Sequence, residues 1–209
     1  MDIRLFEPED LAEVVEMIAK AFFPTDLYAY MMKSLNFRFK FLMDVFRWRV
    51  AVGTAYKETE LAVENGRVIG AAVWTPPATF VAGHLAAQET QKKLGPMSEA
   101  IEDYPREVQD RWLGFFDLFL RARDQVISQP YWALTPIAVA PDRQGRKVAS
   151  ALMRKKLAEF DAAKLPCFLG TQDEFSRDIY LHYGFAVFRR DLILDSGLLS
   201  YSMVRSAAD

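Results

Sequence analysis

Residues 137–150 read Ile137-Ala138-Val139-Ala140-Pro141-Asp142-Arg143-Gln144-Gly145-Arg146-Lys147-Val148-Ala149-Ser150. The run from Tyr131 to Val139 that leads into them is apolar and nearly continuous, as a strand covered on both faces requires. Pro141-Asp142 ends it, and beyond the loop Val148, Ala149, Leu152, Met153, Leu157 and Phe160 recur at helical spacing. A buried strand that turns through a short loop into a helix aims backbone N–H groups and the positive end of the helix dipole at one point, which makes an anion site. Arg143, Arg146 and Lys147 lie in or beside the first helical turn, where each cation opposes that dipole by a few tenths to about 1 kcal/mol. A bound polyanion would remove the penalty. Three long side chains reaching into water would screen it, and charge alone does not separate the two. The loop has neither Gly-x-x-x-x-Gly-Lys-Ser/Thr nor Gly-x-Gly-x-x-Gly, which excludes the usual ATPase and dinucleotide-binding forms of this arrangement.

Upstream, Leu61-Ala62-Val63-Glu64, Asn65-Gly66 and Arg67 through Trp74 predict a hairpin, because Asn-Gly supplies the two positive-φ residues of a type I′ turn. A strand at residues 3–6 precedes a helix whose apolar positions are Leu11, Val14, Val15, Ile18 and Phe22. Tyr28, Met32, Leu35, Phe39, Leu42 and Phe46 continue a single helical stripe to about Val50. Pro76-Pro77 ends the second hairpin strand. Residues 80–128 then predict a helical insertion broken at Tyr104-Pro105, with Val108, Trp112, Phe115, Phe116 and Phe119 on one face. Downstream come a strand at Cys167-Phe168-Leu169, a short helix around 175–183, and strands near 185–193 and 199–204. With no repeat and no linker, residues 1–209 are expected to form one domain of mixed α and β elements.

The chain of 209 residues is long enough to bury roughly 70% of its unfolded surface, so it needs no staple to fold. Twenty-six basic residues against 28 acidic ones leave a net charge of −2, which attracts neither nucleic acid nor an anionic membrane surface. The single cysteine, Cys167, forms no internal bridge and points to a reducing, cytoplasmic location. Residues 1–7 carry acids where a signal peptide has a basic region, and no stretch approaches the ~20 apolar residues of a membrane span. A soluble, unprocessed chain is expected, with oligomer formation left open. His84 and His182 lack companion cysteines or acids at ligand spacing, so no metal is expected.

The stretch 137–152 resembles the signature of the GNAT superfamily of N-acetyltransferases, in which a strand ending in Val-x-Pro is followed by Gln/Arg-x-x-Gly-x-Gly/Ala. Gln144 and Ala149 match the first and last positions, whereas Lys147 stands where glycine is usual. The likeness continues through Leu169-Gly170-Thr171-Gln172 to Ile179-Tyr180-Leu181-His182-Tyr183-Gly184-Phe185, similar to the family's Leu-Tyr-x-x-x-Gly-Phe segment. It implies a mixed α/β fold with a mostly antiparallel central sheet, splayed at its central strand and flanked by helices. It implies acetyl-CoA as co-substrate, its pantetheine arm lying in the splay against backbone groups of Ile137, Ala138 and Val139. Gln144, Gly145, Arg146, Lys147, Val148, Ala149 and Ser150 would then wrap the pyrophosphate. At an ordinary first-turn helical position lysine fits, and its ammonium would reach a phosphate. An asparagine that many members place before the tyrosine is missing. Ser176 or Asp173 takes its place in the donor site, and Gly170 stands where an acidic residue is frequent. The inserted helices and Thr171-Gln172 are reminiscent of the branch containing puromycin N-acetyltransferase.

The resemblance also assigns chemistry. Tyr180 would donate a proton to the departing CoA thiolate, its phenol having a reference pKa of about 10 against about 8.5 for a thiol. Spacing to Gly184-Phe185 selects it over Tyr183. A strand N–H of Ile137 or Ala138 would hold the oxyanion. The central strand carries no carboxylate, which leaves Glu64 or a water chain as base. Cys167 as an acyl-carrying nucleophile has no base near it in sequence. Phe22, Phe23, Tyr28, Tyr30, Trp74 and the insertion are the expected walls of the acceptor pocket, which favours a small apolar or aromatic amine over a polycation. Two alternatives compete: a non-catalytic CoA-binding module, for which Lys147 and the missing asparagine speak, and a protein or peptide N-acetyltransferase, whose open groove a bulky insertion opposes.

Overall fold

The computed structural model describes residues 1–126 and 130–207. Its seven strands form one sheet: β1 (Asp2–Leu5), β2 (Glu60–Glu64), β3 (Arg67–Thr75), β4 (Trp132–Val139), β5 (Cys167–Thr171), β6 (Ala186–Leu192) and β7 (Leu199–Arg205), in the order β1-β2-β3-β4-β5-β7-β6. Every neighbouring pair is antiparallel except β4 with β5, which is parallel. The predicted hairpin is β2–β3, and Asn65 (φ 53°) and Gly66 (φ 77°) take the positive dihedrals that its turn demands.

The helices are α1 (Leu11–Phe22), α2 (Asp26–Met31), α3 (Leu35–Thr54), α4 (Val81–Leu94), α5 (Arg106–Val126), α6 (Val148–Ala162) and α7 (Glu174–His182). The stripe expected to run unbroken from Tyr28 to Val50 is two helices, α2 and α3, parted at Met32, whose φ of −131° and ψ of 97° are extended. Arg38 explains the break. Its buried guanidinium donates to the carbonyl of Met32 at 2.9 Å and to that of Lys33 at 3.4 Å, satisfying acceptors that a continuous helix would have used itself, and ties the break to the end of α1 through the carbonyl of Phe23 at 3.5 Å. The predicted insertion is α4 and α5 with a second break at Gly95-Pro96. Residues 127 and 128 of its predicted span lie outside the described residues.

Apolar cores cover both faces of the sheet. Against one face α1, α3 and α5 pack Ile18, Phe41, Phe46 and Trp112, and against the other α6 packs Leu152, Leu157 and Phe160. Strand β3 serves both, with Val68 and Ala71 in the first cluster and Ile69, Ala72 and Trp74 in the second. Among the described residues no helix is long and apolar enough to cross a membrane.

Several phenols in this framework hold their protons more tightly than free tyrosine, Tyr28, Tyr104 and Tyr180 most of all. Burial pushes Tyr28 up to about 12; burial and a hydrogen bond to Asp44 push Tyr104 up to about 12; burial raises Tyr180 as well. Above the ordinary tyrosine value of about 10 the unfolded chain loses protons that the folded chain keeps, so stability falls as pH rises. Thermal melts followed by circular dichroism are expected to show Tm dropping from about pH 10 to about pH 12, and Tyr28→Phe to shallow that slope. A flat Tm across the window would mean that these side chains ionise as freely in the fold as out of it.

Candidate active site

The position of the site follows from an interruption in the sheet. β4 pairs with β3 as far as Val139, but with β5 only over Trp132–Leu134 against Cys167–Leu169. β5 continues to Thr171 alongside β7, so from Thr135 onward β4 and β5 diverge. The divergence begins at a bulge: between Leu134 opposite Trp74 and Ile137 opposite Ala72, the pair Thr135 and Pro136 faces Val73 alone. Pro136 follows a cis peptide bond and has no N–H to lose from the ladder.

Backbone direction in the gap follows from the ladder. The N–H of Ala140 donates to Ile69 at 2.9 Å, so Ala140 faces β3. Orientation alternates along an antiparallel strand, so Ala138 also turns its groups to β3, opposite Ala71. Ile137 and Val139 turn theirs into the gap. Of the three strand residues expected to offer backbone groups, Ala138 therefore spends its own within the sheet.

A cavity of about 360 Å³ opens at this point. Leu134, Thr135, Pro136 and Ile137 line one side, Leu169 to Asp173 the other, and α7 contributes Ser176 and Tyr180. Phe22 and Tyr28 from the first helices and Phe115, Phe116 and Phe119 from α5 complete an aromatic wall. Of the other expected wall residues, Phe23 lies in a separate surface depression, Tyr30 reaches out to Asp195, and Trp74 is on the opposite face of the sheet, edge-on to Phe160 at 5.3 Å.

Tyr180 is half-buried at the cavity, with Phe185 edge-on at 6.0 Å. Burial first, then the charge of Asp173, raises its pKa, so the phenol stays protonated throughout the physiological range. Among the described residues its hydroxyl has no hydrogen-bond partner. Asp173 caps α7: its carboxylate accepts the backbone N–H and the hydroxyl of Ser176, both at 2.7 Å. Gly170 is small for a packing reason. A Cβ there would lie 2.7 Å from Cε2 of Phe119, so the α5 ring occupies the space that an acidic side chain would need.

The anion loop departs from expectation at two residues. Lys147 is not in the first helical turn but immediately before it, with φ 63° and ψ 15° in the left-handed region, a conformation that costs a non-glycine residue on the order of 1 kcal/mol. Arg143 is not a loose cation, because it donates to Glu64 at 3.0 Å and to Asp142 at 2.8 Å. That pairing also draws Glu64 away from any role as base, and Glu64 does not border the cavity. The α6 N-terminus itself carries no side-chain cap, so the N–H groups of Val148, Ala149 and Ser150 have no acceptor within the helix. Gln144 donates to the carbonyl of Val139 at 3.3 Å, and the Ser150 hydroxyl accepts from Arg154 at 3.1 Å. Arg146 and Lys147 are exposed, and among the described residues neither has an acidic partner. With Gly145 at φ 73°, the loop presents an open turn and two unpaired cations to whatever binds there.

The remaining candidates are structural. Cys167 is fully buried and burial pushes its thiol far above the ordinary range, which leaves it inert as a nucleophile. Nε2 of His84 lies 3.0 Å from the carbonyl of Pro76, and Nδ1 of His182 lies 2.7 Å from that of Asp178 on its own helix. Sequence reasoning missed Asp26, Arg49 and Thr135, all of which border the cavity. Arg49 had no distinguishing signal, because Asp44 and Arg47 stand close to it in the same helical stretch and nothing in the sequence sets it apart from them.

The sequence model of the Acetyltransferase (GNAT) family matches residues 40–185, well over half of the chain, and the chain belongs to that family. It is an N-acetyltransferase that uses acetyl-CoA. Solved structures share the fold at low identity. A histone acetyltransferase HPA2-related acetyltransferase from Corynebacterium glutamicum is 16% identical with a TM-score of 0.64, over 99% of this chain and 96% of that one. A GNAT family acetyltransferase from Brucella melitensis, solved with acetyl-CoA, is 19% identical with a TM-score of 0.52, over 100% and 88%. The ribosomal-protein-S18-alanine N-acetyltransferase of Escherichia coli is 13% identical with a TM-score of 0.55, over 100% and 94%.

Proposed function

We propose that this acetyltransferase moves the acetyl group to the primary amine of a small, largely apolar or aromatic molecule, by direct attack in a ternary complex. The observation that carries this is the cavity itself: it joins the divergence of β4 and β5 to Tyr180 on one side and to an aromatic wall on the other. The pantetheine arm would lie against Ile137 and Val139, and the pyrophosphate at the uncapped start of α6, within reach of Arg146 and Lys147. The strain held at Lys147 is then offset when its charge meets a phosphate.

In the reaction the neutral amine attacks the thioester carbonyl, a C–N bond forms, and the Ile137 N–H stabilises the oxyanion. The C–S bond then breaks as the Tyr180 hydroxyl donates a hydrogen bond to the departing thiolate, while the amine's proton leaves through water or a cavity carboxylate. Phe115, Phe116 and Phe119 close the far side of the cavity, which supports a small acceptor over a peptide.

Calorimetry with acetyl-CoA tests the donor half. Lys147→Glu is expected to weaken binding roughly 10- to 100-fold, the value of one charge-assisted contact. A panel of primary amines followed by release of free CoA thiol tests the acceptor half. Unchanged acetyl-CoA affinity would move the pyrophosphate off this loop, and acetylation of peptides in preference to small amines would displace the acceptor reading.

A further inference from the structure

The cavity has one cationic side chain among the described residues, Arg49 of α3, and no carboxylate is paired with it. Arg49 donates to the hydroxyl of Thr135, lies beside the Tyr28 phenol, and rests on the Phe46 ring at 5.5 Å. Of its five N–H donors Thr135 engages one and the Tyr28 hydroxyl a second, so three remain for a ligand. A half-buried guanidinium without a counter-charge carries an uncompensated desolvation cost, which a bound anion would offset. The acids at the cavity do not supply that anion. Asp173 is committed to capping α7, and Asp26 is exposed in the first turn of α2.

We propose that Arg49 selects acceptors that carry a carboxylate as well as an amine, so that the substrate class is amino-acid-like molecules with an apolar or aromatic side chain. The inference rests on the cavity being the acceptor pocket. Its geometry fits one small molecule: Thr135, which holds Arg49, stands two residues from Ile137 on β4, roughly 7 Å of strand at most. A carboxylate held at Arg49 therefore leaves the amine of the same molecule close to the thioester, while the aromatic wall from α5 takes the side chain. Bidentate pairing favours a planar carboxylate over a bulkier anion.

The test compares matched acids and amides. Phenylalanine and phenylalaninamide are offered with acetyl-CoA, alongside an aliphatic pair such as leucine and leucinamide. Binding of 3-phenylpropionate and 3-phenylpropionamide is read by ligand-observed NMR, which needs no turnover. The wild type is expected to prefer the acid by roughly 30-fold in kcat/KM, Arg49→Met to bring the ratio within about threefold, and Arg49→Lys to keep part of the preference. Equal use of acids and amides by the wild type, or a preference that survives Arg49→Met, overturns the proposal. So does an Arg49-dependent preference for succinyl-CoA over acetyl-CoA, which would assign the charge to the acyl donor. Failure of the broader functional reading looks different: no amine is acetylated, yet 3-phenylpropionate still binds through Arg49.

Discussion

Replacing Tyr180 with phenylalanine is expected to lower kcat by about 10²- to 10⁴-fold, the usual contribution of a positioned proton donor. The substitution removes one oxygen and keeps the ring, so the edge-on contact with Phe185 survives and the cavity wall stays in place. Acetyl-CoA affinity should therefore stay within about twofold, which marks an interaction made only in the transition state. The raised pKa of Tyr180 sharpens the expectation. A phenol whose proton is held above the free-tyrosine value is an unfavourable full donor to a thiol of reference pKa about 8.5, so it acts by hydrogen bonding as negative charge builds on sulfur. The same shift fixes the pH profile: kcat should not fall with deprotonation of Tyr180 below about pH 10, and an earlier alkaline limb must come from another group. Tyr183→Phe is the control, because Tyr183 does not border the cavity and lies under Arg154 at 5.9 Å. Equal losses from the two substitutions would mean that neither hydroxyl serves the leaving thiolate.

The parts of this fold that were legible in the sequence are those governed by local chemistry. Asn65-Gly66 dictates a turn by its dihedrals alone, and the apolar run into Pro141 followed by a helical stripe needs no tertiary information. The rest depended on contacts between distant segments. Trp74 was expected at the acceptor pocket from the family resemblance, and the strand's own pattern could not correct that. When both faces of a strand are buried, its alternation no longer says which side faces which core. The break at Met32 depends on the Arg38 guanidinium folding back onto three carbonyls, and no periodicity announces that. Lys147 matched no glycine at its position, and only the backbone shows that the position does require a positive φ. Arg143 reads in the sequence as a cation available to a phosphate, and Glu64, 79 residues earlier, holds it in the fold. Arg49 stands close to Asp44 and Arg47 with nothing in the sequence to single it out, and its function depends on the helix register that sets it against Thr135.

Trp112→Ala is expected to remove about 3–5 kcal/mol of stability, the range for deleting a fully buried aromatic side chain. For a chain of this length that corresponds to a fall in Tm of roughly 6–20 °C. Trp112 anchors α5 to the rest of the protein: its ring stacks on Tyr28 at 6.0 Å, meets Phe41 edge-on at 5.8 Å and leans on Phe115 at 5.8 Å. Trp112→Phe should cost less than about 1.5 kcal/mol, because it keeps an aromatic ring in the site. The indole N–H that it deletes has no partner among the described residues, so no hydrogen bond is lost. The functional consequence separates the two halves of the site. Phe115, Phe116 and Phe119 reach the cavity from the same helix, whereas the uncapped start of α6 lies on the far side of β4 from α5 and makes no use of Trp112. The acceptor KM of Trp112→Ala, measured below its lowered Tm, should therefore rise several-fold more than the Kd for acetyl-CoA. If both constants moved together, α5 would be supporting the whole sheet, and the aromatic wall would not be an independent source of acceptor specificity.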